Sequence, residues 1–139
     1  VRRLPTNRGL GTRQRVELVA EIVVAYLRAR RELRRAPIEE AVARLRAGSS
    51  SGGEGPEPLV EAQRLGWVVV RTLRLLPGDT RCLRRSLVLT QLLARRGIAA
   101  RLVIGARTAP DFLAHAWVEH AGVPVLSPEG DTFGRLVEL

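Results

Sequence analysis

The sequence predicts an α+β fold, with N-terminal helices followed by an antiparallel β-meander. Two observations carry this reading. Apolar residues recur at three- and four-residue spacing up to Arg96, and the period switches to two after Gly97. Pro77-Gly78 and Gly97 punctuate these segments as a turn and a helix C-terminus. A length of 139 residues suits a single domain, 1–139, read as a helical preamble (1–47), a flexible loop (48–57) and a core that holds the chemistry (58–139).

The first helix is expected over 12–34, with Thr12 as N-cap after Gly11 and an apolar face of Val16, Val19, Ala20, Val23 and Leu27. A shorter one follows. Pro37 suits a first helical position, Glu39 and Glu40 suit the positive end of the dipole, and Ile38, Ala41, Val42 and Leu45 form the apolar side. The run GSSSGGEGP ending at Pro56 has linker composition. Over 58–76, Ala62, Leu65, Gly66, Val69 and Leu73 line one face, while Trp67, Val68 and Val70 make a second, so this helix is expected to be buried on most sides. Asp79 or Thr80 then caps a helix reaching Arg96, with Cys82 in its first turn and Gly97 at C′. Four short strands follow, over 98–105, 112–120, 123–126 and 132–139.

Composition excludes several classes. The single cysteine, Cys82, closes no internal disulfide, and with two histidines it makes no zinc-binding cluster. Every apolar run is far shorter than the roughly 20 residues of a membrane-spanning helix, and the N-terminal stretch is basic and polar rather than signal-like, so a cytoplasmic protein is expected. The net charge of +9 comes from 23 basic residues, all arginine, spread evenly along the chain: residues 1–57 hold 12 Arg and 7 acids, residues 58–139 hold 11 and 7. There is no basic arm and no interleaving of aromatics with bases, so no nucleic-acid partner is expected. No P-loop and no GxGxxG occur, and no cofactor is expected.

Cys82 is the first candidate for chemistry. Unpaired N–H groups at a helix N-terminus, with Arg81, Arg84 and Arg85 nearby, favour thiolate over thiol. Its base is His115, in Phe112-Leu113-Ala114-His115-Ala116-Trp117-Val118-Glu119. Strand alternation puts His115, Trp117 and Glu119 on one face, and the flanking alanines leave the imidazole room. A cysteine opening a helix, followed by a strand and then a histidine in mid-strand, is the arrangement of papain-like and transglutaminase-like enzymes.

Three blocks carry a closer likeness: Cys82-Leu83-Arg84-Arg85-Ser86-Leu87; Gly97-Ile98-Ala99-Ala100-Arg101-Leu102-Val103-Ile104-Gly105; and Ala114-His115-Ala116-Trp117-Val118-Glu119 with Gly122. In order and spacing they resemble the lasso peptide biosynthesis B2 protein family, transglutaminase-like cysteine proteases that remove the leader from a lasso precursor peptide. The likeness covers about a third of the chain, from Cys82 to about Leu126. It implies Cys82 as nucleophile and His115 as base. It also implies an Asp twelve residues after the histidine, where this chain has Ser127.

A three-residue loop, His120-Ala121-Gly122, pairs Glu119 with Val123 and sets Ser127 opposite His115. A hydroxyl can orient the ring but does not stabilise imidazolium as a carboxylate does, and Glu129 and Asp131 are the alternative third members. Glu119 is excluded, since four residues along a strand span about 13 Å.

The implied reaction is acyl transfer through a thioester on Cys82. The Cys82 N–H is one oxyanion donor, with Gln63 or Trp67 as a side-chain donor. The resemblance implies three partners: the precursor peptide, a leader-binding recognition protein and an ATP-dependent lasso cyclase. Two other readings stay open. One is a transglutaminase or acyltransferase using the same Cys-His pair, and the other is a non-catalytic basic helical binding protein.

Overall fold

The computed structural model describes residues 11–47, 57–76, 82–109, 111–125 and 133–139. Among these, four helices precede four strands: α1 (Thr12–Arg35), α2 (Ile38–Arg46), α3 (Pro58–Leu73), α4 (Cys82–Arg95), β1 (Arg101–Arg107), β2 (Leu113–His120), β3 (Val123–Pro124) and β4 (Gly134–Glu138). The α+β class expected from the periodicity is the observed one.

Helix ends follow local chemistry. Gly11 rather than Thr12 caps α1, its N–H donating to Gln14 Oε1 at 3.2 Å. Pro37 stands one position earlier than expected, as N-cap of α2, and its carbonyl accepts from Ala41 N–H at 2.9 Å. At the end of α4, Gly97 takes a left-handed φ of 69°; Ile98 N–H donates to the Leu93 carbonyl and Gly97 N–H to that of Ala94. This paired Schellman closure needs a residue at ease with positive φ, and glycine supplies it. The expected caps Asp79 and Thr80, the Pro77-Gly78 turn and the 48–56 linker lie outside the described residues.

The core lies between α4 and its neighbours. Helix α4 packs on α1, α2 and α3 and on the sheet, and Leu87, Val88, Leu89, Leu92 and Leu93 are fully buried. Helix α3 buries Ala62, Leu65, Gly66, Val68, Val69 and Leu73, as its two apolar sides require.

Helix α1 departs from expectation. Its buried residues are Ile22, Ala25, Tyr26 and Ala29, with Leu18 and Leu33 packed against the core, whereas Val16, Val19, Ala20 and Leu27 are exposed. The helix carries two apolar stripes. The stripe bearing Ala25 and Ala29 permits the closer approach to α4, where Gln91 Nε2 donates to the Ala25 carbonyl at 2.9 Å.

The sheet is antiparallel, in the order β3-β2-β1-β4. The first three strands form a meander, but β4 pairs with β1 instead of extending from β3, so the meander is broken at its last step. The β2–β3 turn also differs from the three-residue loop expected. His120 pairs with Val123 and Glu119 with Pro124, so two residues make the turn, Ala121 (φ 50°) and Gly122 (φ 78°). Positive φ at both central positions defines a type I′ turn, whose twist matches that of the strands it joins. The register therefore shifts by one, and the pairing argument that set Ser127 opposite His115 is removed.

Candidate active site

Alternation along β2 gives it two faces, but burial does not follow it: Ala116 to His120 are buried on both faces, whereas Phe112 and Ala114 are exposed. Ala116 and Val118 belong to the core under α4, paired with Ile104 and Leu102 of β1. His115, Trp117 and Glu119 share the opposite face.

Backbone accounting explains where Cys82 comes to rest. Val125 N–H donates to the Val118 carbonyl at 2.8 Å, so alternate residues of β2 direct their peptide groups toward β3. Ala116 directs its N–H and C=O the same way, but the described part of β3 ends at Pro124, short of that position. Two side chains of α4 supply partners. Ala116 N–H donates to Cys82 Sγ at 3.4 Å, and Ser86 Oγ donates to the Ala116 carbonyl at 3.2 Å. The first residue of α4 and the side chain one turn later are thus stitched to the edge of β2. Cys82, half-buried, comes to rest against the residue that follows His115. Ser86 gains a definite role as the second stitch.

His115 is held by aromatic rings. Trp117 stacks on it at 6.2 Å between centroids and Phe133 at 5.3 Å. Burial and the Arg85 guanidinium both push the imidazole pKa below its usual value of about 6.5, burial being the larger cause. Both causes favour the neutral form of the ring over imidazolium. A neutral imidazole nitrogen is the form able to accept a proton as a general base.

Behind His115 lies a polar network. The Trp117 indole N–H donates to Glu119 Oε1 at 2.9 Å, and Arg135 grips both oxygens of the same buried carboxylate, at 2.7 and 3.1 Å. Glu119 thereby fixes the ring that stacks on His115 without touching His115 itself. Gly105, cross-strand from His115, provides the floor: a Cβ there would lie 2.8 Å from the Trp117 ring and 2.8 Å from the Gly134 carbonyl. A bulge in β4 completes the arrangement. Ile104 pairs with Val137 and Gly105 with Arg135, so Leu136 is the extra residue. Arg135 and Glu138, three apart, consequently share a face and form an ion pair at 2.8 Å.

Of the expected site residues, Cys82 reaches the backbone N–H of Ala116, the residue after His115, while the His115 ring itself packs against Trp117 and Phe133. Ser127, Glu129 and Asp131 lie outside the described residues. Gln63 and Trp67 stand on α3, with Arg71 lying 4.6 Å over the Trp67 ring. Sequence reasoning did not find Phe133, which has no pattern marking it. Gly105 was noted only as part of a block, without its packing role. Among the described residues no group of His, Cys, Asp and Glu side chains is placed to hold a metal ion, and no helix is long and apolar enough to cross a membrane.

A cysteine opening a helix, its sulfur against the strand residue that follows a histidine, is an arrangement compatible with the thiol chemistry of papain-like and transglutaminase-like enzymes. The family model of the transglutaminase-like superfamily matches residues 10–138, and the chain belongs to that superfamily, whose members are generally cysteine-dependent enzymes and include proteases and acyltransferases. No curated protein and no solved structure matches the chain.

Proposed function

We propose that the protein is a cysteine endopeptidase that removes the leader from a ribosomally made lasso-peptide precursor. The single observation that carries a thiol mechanism is the Ala116 N–H bond to Cys82 Sγ, which sets the sulfur one residue from His115. The peptide specificity rests on the three sequence blocks. In the proposed reaction the neutral His115 takes the Cys82 proton as sulfur attacks the scissile carbonyl. The tetrahedral oxyanion collapses to a thioester as His115 returns the proton to the departing amine, the new N-terminus of the core peptide. Water, deprotonated by His115, then releases the leader as an acid. The reading places the enzyme in the cytoplasm beside a leader-binding recognition protein and an ATP-dependent cyclase, with Ser127, Glu129 or Asp131 orienting His115.

The test is mass spectrometry of a lasso precursor incubated with its recognition protein and this enzyme. Free core and leader acid are expected with wild type and neither with Cys82→Ala or His115→Ala. A leader–amine conjugate, formed in the presence of a primary amine in place of the acid, would make the protein an acyltransferase. Cleavage that survives Cys82→Ala would remove the thiol mechanism.

A further inference from the structure

Helix α1 leaves one apolar stripe without a partner among the described residues. Val16, Val19, Val24 and Leu27 are 64%, 44%, 44% and 54% exposed, and Ala20 between them is exposed as well. At 100° per residue they fall on the side of α1 turned away from α4. Four large apolar side chains exposed across one side of a helix of 24 residues are more than scattered surface hydrophobes, and exposed apolar patches mark interaction surfaces.

Just beyond Leu27, Arg28 and Arg31 of the same helix line a cleft of about 450 Å³ between α1, α2 and α4, together with Glu32, Arg44 and Arg95. Arg44 is engaged by Glu32 and Glu40, and Arg95 lies 3.6 Å from Glu21. Arg28 and Arg31, both exposed, form no ion pair among the described residues. They stand between the apolar row and the cleft.

We propose that this composite surface docks an acidic amphipathic helix of a partner protein. Apolar side chains of the partner cover Val16 to Leu27, and its carboxylates pair with Arg28 and Arg31 at the mouth of the cleft. Charge complementarity selects this occupant. A second copy of the chain would bring its own arginine-rich α1 against this one, setting like charges together. A lipid surface is disfavoured because the row lacks the Trp and Phe that anchor interfacial helices. The proposal stands apart from the peptidase reading and concerns binding alone.

The probe is a fluorescein-labelled amphipathic peptide of about 18 residues, long enough to form a helix, with leucine on one face and glutamate on the other. Fluorescence anisotropy with the full chain is expected to show saturable binding, and none with the lysine counterpart. Both Val19→Asp/Leu27→Asp and Arg28→Glu/Arg31→Glu are expected to weaken binding about tenfold or more, while Arg71→Glu/Arg74→Glu, equal in net charge, changes it less than about twofold. All four stripe and cleft positions are exposed, so circular dichroism should show the fold retained. Absence of binding, or equal weakening by the two arginine pairs, would overturn the proposal. So would stripe-dependent cosedimentation with phosphatidylcholine/phosphatidylglycerol vesicles without peptide binding, or a sedimentation-velocity dimer that the stripe variant dissolves.

Discussion

Replacing Gly105 with alanine tests the architecture around His115 most directly. The added Cβ would meet Trp117 Cη2 and Cζ3 at 2.8 Å and the Gly134 carbonyl oxygen at 2.8 Å, against ordinary contacts that begin near 3.4 Å. Each neighbour would have to retreat by about 0.6 Å. The two obstacles are of different kinds. One is the backbone of β4, hydrogen-bonded to β1. The other is a ring held by Glu119 and stacked on His115. The ring can give by a side-chain shift, whereas the Gly134 carbonyl can move only with its strand, so both β4 and the Trp117 ring are displaced. Overpacking of this sort costs about 1–3 kcal/mol. Taking about 2 kcal/mol, and about 4 °C per kcal/mol for a chain of this size, Tm should fall by about 8 °C. Thermal unfolding followed by circular dichroism gives that number, and the intrinsic fluorescence of Trp117 should change with its displacement. Because the same ring stacks on His115, peptide cleavage should fall by more than the loss of folded protein explains. A variant as stable as wild type to within about 0.5 kcal/mol would refute the placement of Trp117 over Gly105.

Three further outcomes are expected. Ser86→Ala removes the hydroxyl that satisfies the Ala116 carbonyl at the edge of β2 and should cost about 1–2 kcal/mol in urea unfolding; no loss would mean that the carbonyl finds another donor. Ala121→Gly relieves a left-handed φ of 50° in the type I′ turn and should stabilise by about 0.5–1 kcal/mol, a gain that a three-residue loop with Ala121 at negative φ would not give. His115 has its pKa lowered by burial and by Arg85, so just below the ordinary value of about 6.5 the unfolded chain binds the extra proton and the folded chain does not. Stability therefore rises with pH through the window from the depressed folded-state value up to about 6.5 and is level in this respect above it. His115→Asn should flatten that slope, and identical slopes in the two proteins would count against the lowered pKa of the half-buried imidazole.

Local rules were sufficient wherever one residue's chemistry decides a boundary. Gly97 closes α4 because its C′ position needs positive φ, and the placement of Cys82 at the start of α4 follows from the apolar spacing that runs behind it. The α+β class and the opposed faces of β2 were legible for the same reason, since periods of 3.6 and 2 are properties of the segment itself. The pairing of a helix-opening cysteine with a mid-strand histidine could be read as a candidate, because both positions depend on element boundaries rather than on packing.

The sequence by itself determined the element types, the Cys82–His115 candidate pair and which residues of β2 share a face. Only the tertiary structure decided which of two apolar stripes α1 would bury, because both have helical spacing and the choice rests on how closely Ala25 and Ala29 allow α4 to approach. It decided that β4 joins β1, and that a bulge at Leu136 turns Arg135 toward Glu119, because strand partners and bulges are contacts between distant segments. It also decided the two-residue turn at Ala121-Gly122, where strand twist outweighs alanine's reluctance to adopt positive φ. Register is fixed by the faces of two strands together, and no one segment specifies it.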